Sequence, residues 1–138
     1  MKTYPLIEAV KHDHYKAVEL LLRNNANMYV YDELHQGPLH HAAMIGSLDI
    51  CMLLLRYGVD INDPGHLGNT ALQYAYATHD IDMCKFLLER GANPNAVSRI
   101  GIRLADPKQL PVELKRLMIR YGADGRIGSA IWYDTLSN

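Results

Sequence analysis

The sequence has no excess of charge of either sign and no long hydrophobic run. Its 138 residues include 14 lysines and arginines against 15 aspartates and glutamates, a formal net charge of −1. Because nucleic-acid-binding domains carry a basic face, this balance argues against nucleic acid as a partner. The longest uninterrupted apolar run is Ile50–Leu55, far shorter than the roughly 20 residues that cross a bilayer. We therefore expect no membrane span.

Cysteine, phenylalanine and tryptophan are scarce. The two cysteines are too few for a disulfide framework, and Glu8 and Lys11 interrupt the amino-terminal residues before a signal-peptide core forms. These absences predict one soluble domain in the cytoplasm. Nine tyrosines stand against a single phenylalanine, a ratio typical of half-exposed packing in which the ring is covered and the hydroxyl stays in water.

What the sequence does contain is an internal repeat. An apolar triplet recurs at offsets of 33, 33 and 31 residues, as Leu20–Leu22, Leu53–Leu55, Phe86–Leu88 and Leu117–Ile119. Two further landmarks keep the 33-residue spacing in the first three units, namely Leu6, Leu39 and Leu72, and Ala9, Ala42 and Ala75. Such a period predicts stacked helical units that share one continuous core, because no unit can bury its apolar face alone.

Each unit predicts two short helices and a polar connector. Pro5, Pro38 and Ala71 stand where the first helices begin, and Thr70 is a natural N-cap residue. Turns between helices and helix ends favour residues that tolerate left-handed dihedrals. The residues in those positions are Asp13, Gly46 and His79 for the turns, and Asn25, Gly58, Gly91 and Gly122 for the ends.

These residues resemble the ankyrin-repeat family. Gly37–Ala43 and Gly68–Leu72 are similar to the family's Thr-Pro-Leu-His-x-Ala-Ala signature, and Leu87–Asn95 is similar to its Leu-Leu-x-x-Gly-Ala-Asp-x-Asn segment. The resemblance covers about residues 2–126. It implies an all-α ankyrin-repeat solenoid of stacked helix-turn-helix units, with β-turn fingers that point away from the helices. It also implies protein–protein recognition without catalysis.

The repeat divides a single domain, residues 1–138, into about four units. We place the units at about 2–30, 31–63, 64–97 and 98–126, with 127–138 as a capping tail. The first and last units are atypical and read as caps. Two prolines, Pro107 and Pro111, shorten or break the first helix of the last unit. Lys115 occupies the position of Val18, Cys51 and Cys84, and this puts a charge where a further repeat would pack.

The tail allows two interpretations. Ser129 could cap a vestigial fifth first-helix that covers the core, with Trp132 as its plug. Alternatively, Trp132 and Tyr133 belong to a binding surface, where aromatic residues concentrate binding energy.

The family's partners dock on finger tips and on the inward ends of the first helices, so the resemblance implies a concave binding face here. We expect Met44 and Ile45, beside Tyr31 and Tyr76, to be its hot spot, with Glu33, His66 and Arg99 as a polar rim. Leu34, Leu67 and Ile100 would form one apolar row unless they fold back on their own fingers. The remaining positions assigned to this face by register are Gln36, Asn69, Ala77 and Thr78.

Metal, cofactor and enzymatic sites are not expected. The seven histidines are spread over the units, no Cys-x₂-Cys spacing is present, and Cys51 and Cys84 read as two small buried hydrophobes. The signature position His40 implies a histidine whose hydrogen bonds tie adjacent units together. The sequence has no G-x-S-x-G, no phosphate-binding glycine loop and no H-E-x-x-H.

The sequence therefore predicts a non-catalytic interaction module that binds one folded protein and is monomeric when free. Because no second domain follows, occupancy itself would be the output, as in a stoichiometric inhibitor or immunity-type blocker. The alternative is an adaptor that bridges two proteins. Blocking is preferred because the side of the second helices looks merely charged. A metal or small-molecule site built from the histidines remains a remote alternative.

Overall fold

A computed structural model describes residues 3–96 and 111–122, together with the backbone of 126–127 and 130–131. Within this part the chain forms helix pairs. The helices are α1 (Pro5–Lys11), α2 (Tyr15–Arg23), α3 (Pro38–Ile45), α4 (Leu48–Arg56), α5 (Ala71–Ala77), α6 (Ile81–Glu89) and α7 (Val112–Arg120). The all-α solenoid expected from the repeat is confirmed.

The helices form two parallel rows. The first helices α1, α3 and α5 pack side by side, with α3 in the middle, and the second helices α2 and α4 pack behind them. The second helices α4 and α6 are in contact through Cys51 and Met83, whose sulfur atoms lie 3.8 Å apart. Apolar side chains between the rows form one continuous core from Leu6 to Met118.

The helix starts follow from local chemistry. Proline occupies the first turn of α1 and α3, where its missing N–H costs no hydrogen bond. Thr70 caps α5 as predicted: its hydroxyl accepts a hydrogen bond from the Gln73 N–H, and the Gln73 side chain accepts one from the Thr70 N–H at 2.6 Å. Asp80 caps α6 in the same way, accepting from the Met83 N–H at 3.1 Å.

The predicted left-handed positions are all left-handed. The turns between paired helices have φ of 55° at Asp13, 76° at Gly46 and 57° at His79. The helix ends have φ of 61° at Asn25, 98° at Gly58, 92° at Gly91 and 99° at Gly122. Asp, Asn and His adopt this region at a cost that glycine avoids.

Polar connectors join each unit to the next. The Tyr29 hydroxyl accepts a hydrogen bond from the Asp60 N–H at 3.0 Å, and the Asn62 side chain accepts one from the Asn93 N–H at 2.7 Å. The Asn95 amide donates to the Gly122 carbonyl at 3.0 Å. Equivalent connectors therefore lie in register along the stack.

Both cysteines are free and buried, as predicted. Burial, with a smaller contribution from the Asp80 carboxylate, raises the pKa of each thiol to about 12. A thiol with so high a pKa is a poor nucleophile and metal ligand.

The carboxyl-terminal part differs from two expectations. Lys115 does not present its charge at an open end, because it is 2% exposed; the aliphatic stem of a lysine can be buried like an apolar side chain. The helix expected from Ser129 is replaced by a two-stranded antiparallel ladder, β1 (Arg126–Ile127) with β2 (Ala130–Ile131). The first helix of the last unit, Trp132 and Tyr133 lie outside the described residues.

Candidate protein-binding face

The first finger, residues 31–37, is built around one carboxylate. Asp32 Oδ1 accepts hydrogen bonds from the Leu34 N–H at 2.9 Å and the Gln36 N–H at 3.1 Å. Asp32 Oδ2 lies 2.6 Å from His41 Nε2. The backbone closes the turn, with the Asp32 N–H donating to the Gln36 carbonyl at 3.0 Å. Side chain and backbone together fix the shape of the finger.

The Asp32 carboxylate stays ionised in this finger. Burial alone would raise its pKa, but hydrogen bonds from the Gln36 backbone, from His41 and from the Leu34 backbone outweigh burial and lower the pKa. The negative charge therefore persists at neutral pH and keeps all three donors bound.

The first finger packs tightly on the second finger, residues 64–70. The Tyr31 hydroxyl donates to the Asp63 carboxylate at 2.8 Å, and its ring meets the His66 ring edge-on, with 4.6 Å between centroids. Burial and the neighbouring Asp63 charge raise the pKa of Tyr31. Gly65 has φ +56°, and a Cβ there would lie 2.8 Å from the His35 carbonyl oxygen. Only glycine allows this approach.

His40 ties the first finger to the second. Its Nδ1 accepts a hydrogen bond from the Gly37 N–H at 2.9 Å, and its Nε2 lies 2.9 Å from the Asp63 carbonyl oxygen. Because the backbone N–H must donate, Nδ1 is unprotonated and Nε2 carries the proton that it donates. Burial lowers the pKa of His40, which favours this neutral form. The bridging geometry matches the role that the signature histidine implies.

Gln73 takes the place of this histidine in the next unit, 33 residues on. Its Oε1 accepts from the Thr70 N–H at 2.6 Å, and its Nε2 donates to the Ala96 carbonyl at 2.9 Å. Like the imidazole of His40, the Gln73 side chain accepts from a backbone N–H at the start of its own helix and donates to a backbone carbonyl of the connector that leads to the next unit. Sequence reasoning missed Gln73, although its position in the repeat register was the signal.

Apolar side chains are exposed on this framework. Leu34 at the first finger tip is 67% exposed, and Met44 and Ile45 at the end of α3 are 37% and 43% exposed. Leu34 does not fold back on its finger. It lines a groove of about 210 Å³ between the finger and α1, whose other lining residues are Tyr4, Ile7, Glu8, Lys11, Asp32 and Glu33. The walls of this groove therefore combine apolar surface with charge of both signs.

Helix pairs repeat in register along the described chain, and the side chains of His40 and Gln73 occupy one repeat position as bridges between units. The family model for ankyrin repeats (3 copies) matches residues 6–98. The chain belongs to the ankyrin-repeat family. Ankyrin repeats generally mediate protein–protein interaction, and the family is typically non-catalytic.

This ankyrin-repeat chain resembles segments of longer proteins. It is 26% identical to the ankyrin repeat protein FPV219 of fowlpox virus (strain NVSL) over 73% of its own length, and 34% identical to FPV014 of the same virus over 83%. It is 41% identical over 40% of its length to the Arf-GAP with coiled-coil, ANK repeat and PH domain-containing protein 2 of Gallus gallus. The chain spans 30%, 27% and 7% of these three proteins respectively.

Most of the predicted surface positions on the ankyrin-repeat fold are open to solvent, and three are not. Glu33, His66 and Thr78 are exposed, and Tyr31, Leu67 and Ala77 are half-buried. Gln36, Asn69 and Tyr76 were wrongly assigned to the open face, since they are 9%, 3% and 4% exposed. Arg99 and Ile100 lie outside the described residues.

The three buried positions have structural reasons. Gln36 and Asn69 occupy equivalent positions where a finger meets its first helix, and both side chains are covered there. Tyr76 stands one helical turn after Leu72 on α5, and both belong to the buried core. Neither effect is visible from finger register alone.

The second-helix side of the ankyrin stack is not merely charged. Among the described residues of the second helices, Leu48 and Met52 on α4 are 38% and 39% exposed, next to the exposed Asp49 and Arg56. The prediction of a merely charged second-helix side is therefore wrong.

The part of the chain that the structure describes has no cluster of three or more His, Cys, Asp or Glu side chains placed to hold a metal ion. None of its helices combines the length and the apolar character needed to cross a bilayer. The histidines instead form ring contacts, such as His35 with His66 at 5.3 Å between centroids.

Proposed function

We propose that the chain binds a folded protein partner through its concave face and acts as a stoichiometric blocker of that partner. The concave face comprises the finger tips and the carboxyl ends of the first helices, and its core is Leu34, Met44 and Ile45. No chemical step is required of the chain, since covering a partner's own functional surface is sufficient.

The exposure of Leu34 on a rigid finger carries this proposal. Its side chain is 67% exposed, while the finger beneath it is fixed by the Asp32 hydrogen bonds and by Tyr31 on Asp63. An apolar side chain held in place before binding loses little conformational entropy in the complex. Met44 and Ile45 extend the apolar surface on α3, and such central apolar clusters dominate binding energy.

The second candidate function is an adaptor that bridges two proteins. Leu48 and Met52 on α4 are 38% and 39% exposed on the opposite side of the stack from the fingers. A groove there is lined by Tyr15, Asp49, Met52 and Arg56. A bridge needs two separate surfaces, and these residues supply the second.

The decisive variant is Met44→Asp with Ile45→Asp, matched by Leu48→Asp with Met52→Asp as the control on the other side. Partners captured from native lysate and identified by mass spectrometry are then purified and titrated calorimetrically. The first variant should weaken binding by roughly 100-fold or more, as expected when two hot-spot residues are lost, with an unchanged circular dichroism spectrum. The control should bind like the parent chain.

The same pair of variants separates blocking from bridging. A blocker loses its single partner only with the Met44/Ile45 variant. An adaptor also loses a second, different partner with the Leu48/Met52 variant. Full binding by a folded Met44/Ile45 variant would refute the concave-face proposal.

A further inference from the structure

The first unit leaves uncovered an apolar face that the second and third units bury. Repeat register aligns α2 with α4 and α6, so that Ala17, Leu20 and Leu21 correspond to Ile50, Leu53 and Leu54. In α4 these residues are 0%, 2% and 0% exposed, and their equivalents in α6 are at most 9% exposed. In α2, Leu20 is 61% exposed, and Ala17 and Leu21 are half-buried. Among the described residues, α4 and α6 each have a second helix packed on this side, whereas α2 has none.

The existing interfaces show what chemistry covers this face. Met83 on α6 occupies the repeat position of Ala17 and contacts Cys51 on α4, the second helix of the preceding unit. Cys51 corresponds to Val18 and Cys84, and the residue four positions later is Leu22, Leu55 or Leu88. Each covering helix thus presents a small apolar residue followed after one turn by leucine.

A groove continues the uncovered surface. It has a volume of about 140 Å³ and is lined mainly by apolar residues, namely Tyr4, Pro5, Leu6, Leu21, Ala26, Asn27 and Val30. Leu21 belongs both to the uncovered face and to the lining of this groove, so the two surfaces adjoin. Lys16 and Arg23 are exposed on the same helix, and Arg23 pairs with Glu19 at 3.7 Å. The face therefore has an apolar centre and a charged rim.

We propose that this amino-terminal end face, Ala17, Leu20 and Leu21 with the adjoining groove, docks an amphipathic α-helix of a partner protein. The helix presents a small apolar residue and, four positions later, a leucine. Continuity with the internal interfaces supports this occupant, because each internal copy of the face receives such a helix. A second copy of this chain fits less well, since its last second helix carries Lys115 in the small apolar position and that lysine is buried.

A helical peptide copied from α4 provides the probe. Residues 47–58 are synthesised with Cys51→Val, which places the residue of α2 in that position, and with a hydrocarbon cross-link replacing the exposed Asp49 and Arg56. The full chain, labelled with ¹⁵N, is titrated with this peptide and followed by heteronuclear NMR. We expect saturable shifts at the amides of Ala17, Leu20 and Leu21, with a dissociation constant below about 1 mM.

Variants of both molecules make the test specific. Leu20→Glu, at a position exposed enough to tolerate the charge, should weaken binding at least about tenfold, whereas Leu48→Glu should not. A peptide with Asp in place of residues 51 and 55 should not bind, whereas one with Gln in place of Ile50 and Leu54 should. The absence of saturable shifts at about 2 mM peptide, a concentration above the expected dissociation constant, would overturn the proposal. Shifts that Leu20→Glu does not affect would overturn it as well.

Sedimentation equilibrium covers the alternative occupant. A chain that dimerises by itself, and loses the dimer with Leu20→Glu, would assign the face to a second copy and refute the partner helix. Neither result bears on the proposed concave-face binding, because the end face contains none of the residues Leu34, Met44 and Ile45 that form the core of the concave face.

Discussion

At the scale of single residues, His40 shows how a buried polar side chain can join two repeats. Its ring is 1% exposed, and both nitrogens are used, one as acceptor from Gly37 and one as donor to Asp63. A second proton on the ring would remove the acceptor. The neutral ring is therefore part of the fold, and the lowered pKa follows from its burial.

This arrangement predicts acid sensitivity below neutral pH. The folded-state pKa of His40 is lowered, so the unfolded chain binds the proton more readily, with a pKa near 6.5. Stability from this group is complete above about pH 6.5 and is lost as the pH falls below it. Urea unfolding between pH 7.5 and 5 should show the free energy of unfolding decreasing over this window.

His40→Gln is the matched variant, because Gln73 already meets the same two needs in the next unit. The variant should keep its stability at pH 7.5 to within about 1 kcal/mol and lose part of the acid sensitivity. Equal pH dependence in His40→Gln and the parent chain would show that another group is responsible.

At the scale of elements, left-handed glycines at a turn between paired helices and at a helix end have different surroundings. Gly46 has φ +76°, and a Cβ there would lie 2.9 Å from Asp80 Oδ2, the N-cap carboxylate of α6. Gly58 has φ +98° with open space around it. A side chain at Gly58 would therefore introduce backbone strain alone, whereas a side chain at Gly46 would introduce backbone strain and a steric contact.

Gly46→Ala should cost more than Gly58→Ala. Both alanines pay roughly 1–2 kcal/mol for a left-handed conformation, but only the first also displaces the Asp80 cap, whose loss is worth about 1 kcal/mol. Thermal unfolding followed by circular dichroism measures the difference. Equal losses would mean that the cap moves aside without cost.

The fingers illustrate what register can and cannot predict for an element. Finger register correctly placed Leu34 and Glu33 on the outside, since residues at a turn tip have no neighbour to cover them. The same register failed for Gln36 and Asn69, because at the finger base the exposure depends on how closely the next unit approaches. The prediction for Tyr76 failed because the rotation of α5 about its axis decides which of its tyrosines face the core.

At the scale of the whole molecule, equivalent positions differ in exposure because, among the described residues, some have a neighbouring unit packed against them and others do not. Leu20 and Leu53 are the same residue type in the same position of α2 and α4, yet they are 61% and 2% exposed. In a solenoid each unit contacts only its neighbours, so the loss of one neighbour changes the energetics of a position without any change in its sequence.

Truncation of these two leucines should therefore have unequal effects. Leu53→Ala should destabilise the chain by about 2–4 kcal/mol through lost burial and a residual cavity, whereas Leu20→Ala should cost less than about 1 kcal/mol. Chemical denaturation of the two variants under one condition gives the comparison. Similar decreases in the free energy of unfolding for the two variants would mean that Leu20 is covered in solution, for example by self-association.

The repeat, the all-α solenoid and the family resemblance can all be inferred from the amino-acid sequence. Helix starts, left-handed turns and the 33-residue spacing are local properties that each residue type imposes on its own backbone. Which of the equivalent positions are covered is known from the tertiary structure. It buried Gln36, Asn69, Tyr76 and Lys115, gave Gln73 the role of a bridging histidine, and left Leu20 open. Burial depends on the neighbouring unit, and a repeat pattern describes a unit without describing its neighbour.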